Sequence, residues 1–238
     1  MKRLFLILVS ATSICAANAQ MVAGGRASSQ SVLEAGSGYL MLPAVQKELG
    51  LSEAVSKKIS AKYMDAMRGL MSQQPQRGKT QDPKAQRAAF EAQFKKMKQA
   101  QLDNLALLTP AQKSRLKQIT IQQIGAAGLL NPEIKKELNL TATQEQRINA
   151  IVRDGTMQAF ASMRGPGGPG GQAKPEDMRK RMAEFAKKQE EWRGKMLVES
   201  MKSLKPDQQA KWKAMQGKPF KIDMMGGMPM MRPPMIKN

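Results

Sequence analysis

Leu108-Thr109-Pro110-Ala111-Gln112 and Leu140-Thr141-Ala142-Thr143-Gln144 are two clean copies of one signature. Two degraded copies accompany them, Leu51-Ser52-Glu53-Ala54-Val55 and Leu204-Lys205-Pro206-Asp207-Gln208. The clean copies are capping boxes. The hydroxyl of Thr109 or Thr141 caps free amides at a helix start, and Gln112 or Gln144, three residues on, reaches back to the cap. Pro110 and Pro206 fall at the first helical position, where a missing N–H costs nothing. Ser52 keeps a capping hydroxyl while Val55 replaces the glutamine. Lys205 lacks the hydroxyl and Gln208 is kept. Each copy marks a helix entrance, and little of the chain alternates with period two, so the expected fold is all-α, built of long helical hairpins, with no sheet.

The signatures sit inside a larger repeat. Pro43-Ala44-Val45-Gln46-Lys47-Glu48-Leu49-Gly50-Leu51-Ser52 matches Pro132-Glu133-Ile134-Lys135-Lys136-Glu137-Leu138-Asn139-Leu140-Thr141, and Ile59 falls on Ile148. Leu107-Leu108-Thr109-Pro110-Ala111-Gln112 matches Ser203-Leu204-Lys205-Pro206-Asp207-Gln208. A glycine–proline linker, Gly165-Pro166-Gly167-Gly168-Pro169-Gly170-Gly171, lengthens the second copy. The unit of about 90 residues is the size of a small domain, larger than a solenoid repeat. Two helical units are expected, 39–128 and 129–217, joined through Gly125 to Gly128.

The ends read differently. Lys2 and Arg3, the apolar run Leu4 to Val9 and the small-x-small site Ala17-Asn18-Ala19 form a secretory signal over residues 1–19, cleaved near Ala19. The apolar run is too short to span a bilayer. Ile14 is too bulky for Cys15 to be the acylated residue of a lipoprotein. A periplasmic or secreted location follows. Residues 20–38 are small and polar and read as disordered. Residues 218–238 read as a Met/Pro-rich disordered tail.

The chain has one cysteine, Cys15, and no histidine. Disulfides, thiol chemistry, the commonest general base and the commonest metal ligand are therefore missing from the mature chain. No hydrolase elbow, Walker loop or dinucleotide fingerprint occurs. No enzyme and no cofactor is expected. Lys plus Arg number 39 against Asp plus Glu 19, which favours polyanions, anionic membrane surface or acidic protein segments. Aromatics make up 4% of the chain, too few for a nucleic-acid stacking platform, so no specific nucleic-acid partner is expected.

Along the helices, Val55, Ile59, Ala66 and Leu70 hold one apolar face of the first capped helix. Phe90, Phe94, Met97 and Leu105 stripe the next, and Leu116, Ile119 and Ile124 the third. In the second half Ile148, Ile151, Val152, Ala159 and Phe160 are followed by Met178, Met182, Phe185, Trp192, Met196 and Leu204. Lysines and arginines crowd beside these stripes.

With its paired signatures, signal peptide and basic helical composition, the chain over about residues 40–216 resembles the LTxxQ-motif periplasmic proteins of the Spy and CpxP type. The resemblance implies long bent helical hairpins, a cradle that binds unfolded clients without ATP, and a link to envelope stress. A family subunit would carry two signature copies and this chain carries four. That implies two tandem subunit-like units, a monomer standing for the family dimer, with a homodimer as the alternative. The metal-sensing members of the family use histidine-rich ligand sets, for which this chain has no residues.

Twenty methionines add a functional signal, because thioethers are flexible and polarizable and promiscuous surfaces over-use them. The expected client-binding face carries Met64, Met67, Phe94, Met97, Met157, Met163, Met182 and Phe185, flanked by Lys95, Lys96, Arg181 and Lys188. Its partners would be unfolded or acidic envelope proteins. For any single methionine, core filling is the commoner role. A second reading is metal response. Met224, Met225, Met228, Met230, Met231 and Met235 offer soft donors suited to Cu(I), against the simpler reading of a biased tail. A third is nonspecific binding to an anionic surface.

Overall fold

The computed structural model describes residues 31–72, 83–163 and 175–222. The expected signal peptide, the leader up to residue 30, the glycine–proline linker and the tail from residue 223 lie outside the described residues. Within them the chain is all-α, without strands.

The helices are α1 (Val32–Gly36), α2 (Pro43–Glu48), α3 (Glu53–Ser72), α4 (Pro83–Ala106), α5 (Pro110–Ile124), α6 (Pro132–Leu138), α7 (Ala142–Met163), α8 (Pro175–Met201) and α9 (Pro206–Gln216). Tight 3-10 turns, Ser37–Met41 and Gly125–Leu130, lead into α2 and α6. Proline opens α2, α6 and α9 at the first turn, as the sequence requires.

Packing divides the described residues into two compact units, those of 36–117 with 219–222 and those of 118–218 with 31–35. The division falls inside α5, between Lys117 and Gln118. The repeat alignment, by contrast, places the boundary at 128/129. The reason is that Ile121 and Ile124 belong to the apolar cluster that also holds Leu129, Ile134, Leu138, Ile148, Val152, Leu204 and Trp212. In the other unit Tyr39, Leu40, Val45, Leu49, Ile59, Leu105, Leu108 and Leu116 are buried.

Residues 32–38 correct the expectation of disorder through residue 38. Val32 is fully buried in the cluster around Trp212. Its N–H donates to Glu133 Oε2 at 3.0 Å, and the Glu34 N–H donates to Ser31 Oγ at 3.2 Å. Ser31-Val32-Leu33-Glu34 has the residue types of a capping box, a signal hidden by the small polar residues before it. The repeat accordingly starts earlier than Pro43. Val32-Leu33-Glu34-Ala35-Gly36 lies on Ile121-Gln122-Gln123-Ile124-Gly125, and buried Leu40 lies on buried Leu129.

Both short helices end alike. Gly50 (φ 59°) and Asn139 (φ 50°) take the left-handed conformation at matched positions. The Leu51 N–H reaches the Gln46 carbonyl at 3.0 Å and the Leu140 N–H the Lys135 carbonyl at 3.1 Å. The Gly50 and Asn139 amides bond the carbonyls of Lys47 and Lys136. This is the Schellman arrangement, and it turns each chain sharply into its signature.

Within each unit the two long helices pack against each other as a hairpin, α3 on α4 and α7 on α8. Asn104 Nδ2 donates to the Ile59 carbonyl across the first pair. In the second, α7 approaches α8 so closely at Gly155 that a Cβ there would collide with Met196 Sδ. The half-buried methionines Met196, Met201 and Met215 pack against the cluster as gap fillers.

The left-handed positions give a direct test. Gly50→Ala meets no neighbour, so its penalty is backbone strain alone, about 1–2 kcal/mol in urea unfolding. Asn139→Gly, with the same geometry already tolerated, shifts stability by less than about 1 kcal/mol.

Candidate functional site

Two features compete for function, the joints made by the signatures and the exposed surface of the long helices.

The threonine signatures cap as expected. The Gln112 N–H bonds Thr109 Oγ1 at 3.3 Å while Gln112 Oε1 accepts from the Thr109 N–H at 2.9 Å. Gln144 and Thr141 repeat this at 3.3 and 3.0 Å. Ser52 Oγ accepts from the Val55 N–H at 3.4 Å. Lys205 has no acceptor to cap with, yet Gln208 Oε1 still takes the Lys205 N–H at 2.9 Å. Gln208 therefore does half of a capping box without a hydroxyl partner.

The glutamines also do something that a capping box alone does not predict. Their Nε2 groups cross to the other signature of the same unit. Gln112 Nε2 donates to the Leu49 carbonyl at 3.1 Å, and Gln208 Nε2 to the matched Leu138 carbonyl, also at 3.1 Å. Gln144 Nε2 returns the bond to the Ser203 carbonyl at 2.8 Å. Gln144 and Gln208 further bond each other, Gln144 Nε2 to Gln208 Oε1 at 2.7 Å. Both of these amides are buried and fully partnered. The joint is a structural clamp.

Among the described residues two buried oxygens near the joints lack partners, Asn104 Oδ1 and Ser200 Oγ. They occupy matched positions, four residues before Leu108 and Leu204. Each lies on a helix of its own hairpin, Asn104 on α4 and Ser200 on α8.

The surface reads as follows. In the unit 36–117, Met64 is 57% and Phe94 48% exposed, and Leu102 is exposed too. Phe94 thus leaves the apolar stripe it was expected to share with Leu105, which is buried. Met67 and Met97 are half-buried, and Lys95 and Lys96 are exposed. In the unit 118–218, Met157 is 66% exposed, with Val198 and Lys188 exposed as well. The side chains of Met163, Arg181, Met182 and Phe185 lie outside the described residues, as do Met224, Met225, Met228, Met230, Met231 and Met235. Leu102 and Val198 went unnoticed in the sequence. They occupy matched positions of the repeat, six residues before Leu108 and Leu204, and that register is the signal that finds them.

Electrostatics at this surface are mild. Hydrogen bonds from Gln99 Nε2 (2.8 Å) and Lys62 Nζ (3.0 Å) hold the Asp103 carboxyl below its ordinary range. Its contribution to stability is present above the ordinary aspartate range and lost as pH falls through the lowered value. Both partners of the ion pair are solvent-exposed, so the effect is small. No cluster of His, Cys, Asp and Glu that could hold a metal occurs among the described residues, and no helix there is long and apolar enough to cross a membrane.

Comparison with protein-family models, with curated proteins and with solved structures finds no match.

The clamp makes a graded prediction for urea unfolding. Gln208→Leu removes one of the partners of the buried Gln144 amide and the donor to the Leu138 carbonyl, and should cost about 1–3 kcal/mol. Thr109→Ala removes only an exposed cap and should cost about 1 kcal/mol.

Proposed function

We propose that this chain is a periplasmic, ATP-independent chaperone-like or envelope-stress protein that holds unfolded or acidic envelope proteins on basic helices bearing methionine. The observation that carries the reading is the exposure of Met64, Phe94 and Met157 on the long helices of a strongly basic chain. Exposed apolar groups of flexible or planar shape suit many client sequences, and unpaired lysines such as Lys95, Lys96 and Lys188 speed encounter with acidic ones. The resemblance to the Spy and CpxP type is supported by the way two signature copies meet in each unit. That arrangement agrees with a monomer standing for a family dimer, and sedimentation would separate it from a homodimer. With no histidine and only Cys15 as a thiol, the proposal is of a binding protein without a catalytic step.

The test is aggregation of a denatured client without ATP, at low and high salt. The triple variant Met64→Ser, Phe94→Ser, Met157→Ser alters exposed side chains, so each change should shift stability by within about 0.5 kcal/mol. Its protection should fall several-fold at both salt concentrations. Replacing Lys95, Lys96 and Lys188 by glutamine should slow protection at low salt only, since exposed charges are screened at high salt. If the triple variant protects as well as the parent and all protection disappears with salt, the anionic-surface reading replaces this one.

A further inference from the structure

The two joints are built to one plan but closed unequally. In the unit 118–218 the signature glutamines answer each other, Gln208 to the Leu138 carbonyl and Gln144 to the Ser203 carbonyl. In the unit 36–117 only one arm exists, Gln112 to the Leu49 carbonyl. The position of Gln144 is held there by Val55, which has no donor to offer. The carbonyl that a second arm would reach is that of Leu107, matched to Ser203. The turns presenting them are alike, with Leu107 N–H on the Asn104 carbonyl at 3.2 Å and Ser203 N–H on the Ser200 carbonyl at 3.0 Å. Among the described residues no donor takes the Leu107 carbonyl.

Each unit also places an ion pair beside its joint, so charge does not separate the two and the missing amide arm does. In the unit 36–117 the pair is Arg115 and Glu48. Arg115 Nε and Nη2 donate to Glu48 Oε1 at 2.9 and 2.7 Å, tying α5 to the end of α2. In the unit 118–218 Lys135 Nζ donates to Glu145 Oε2 at 2.7 Å, tying α6 to the start of α7 beside the buried amides of Gln144 and Gln208.

We infer that the signature joint of the unit 36–117 is a release point, opening well before its counterpart, and that Val55 sets the difference. One hydrogen bond of this kind changes an opening equilibrium by about tenfold. Opening of the joint frees the base of the α3–α4 hairpin, while the α7–α8 hairpin stays latched. The inference stands independently of the chaperone reading, although Met64, Phe94 and Leu102 are exposed on the arm that is released.

Native-state hydrogen exchange on the full chain tests it. After correction for intrinsic rates, the amides of Gly50, Leu51 and Leu108 should exchange about tenfold faster than those of Asn139, Leu140 and Leu204. Added salt should leave the gap about as wide, since each joint has one ion pair to be screened and the missing arm is a neutral amide bond. Val55→Gln should slow the first set about tenfold and leave the second unchanged. Equal protection of the two joints in the parent chain overturns the inference. So does a Val55→Gln chain with unaltered exchange in 118–218 whose Gly50 and Leu51 exchange as before. Should Val55→Gln fail to fold, Gln144→Val decides. The inference holds if Leu140 and Leu204 then exchange as fast as Leu51 and Leu108, and falls if they stay protected.

Discussion

A signature glutamine has one acceptor and one pair of donors, and the fold uses both ends. The acceptor closes the start of its own helix, and the donors close the turn that precedes the other helix of the unit. A local cap and a long-range contact are thereby one side chain. Helix ends leave several backbone groups unsatisfied, and burying them without partners would be expensive. By bringing two helix starts and two chain turns to one place, each unit answers several of these groups with few residues. The hairpins, the Schellman turns and the apolar clusters are all arranged around that point.

Much of the fold can be read from the residues. The boundaries of α2, α5, α6 and α9 follow from proline at the first turn and from Gly50, Asn139, Gly125 and Gly217 at their ends. The periodicity of Ile59, Leu105, Ile148, Val152 and Leu204 identifies core positions correctly. Trp212 escaped, because α9 is short and its apolar pattern is weak; its match to Leu116 in the repeat was the available clue. Val32 escaped because a single buried valine in a polar leader has no period to reveal it. The crossing bonds of Gln112, Gln144 and Gln208 escaped for a different reason. A capping box explains the glutamine locally, and nothing in local spacing says where its second group points.

The surface was legible only in part. Composition announces a basic chain rich in methionine, but it does not say which side of a helix faces water. Phe94 fits a helical stripe with Met97 and Leu105 by spacing, yet Leu105 is buried and Phe94 is half exposed. A stripe of four-and-three steps drifts around a long helix, and only packing decides where the buried arc ends. Leu102 and Val198 show how the repeat can substitute for a structure here, since each marks the other.

The start of the repeat at Val32 and Ile121 has a further consequence for the chain as a piece of grammar. Helix α5 is the closing word of one sentence and the opening word of the next. Its first turns follow a signature, as α9 does, and its last turns do what α1 does. The first copy runs from Val32 to Thr120 and the second from Ile121 to Gln216, so the two abut inside α5 and not between helices. Such a chain cannot be parsed into halves by cutting. A cut there would break α5 and part Val32 from the cluster that buries it, so neither copy is complete as a folded piece.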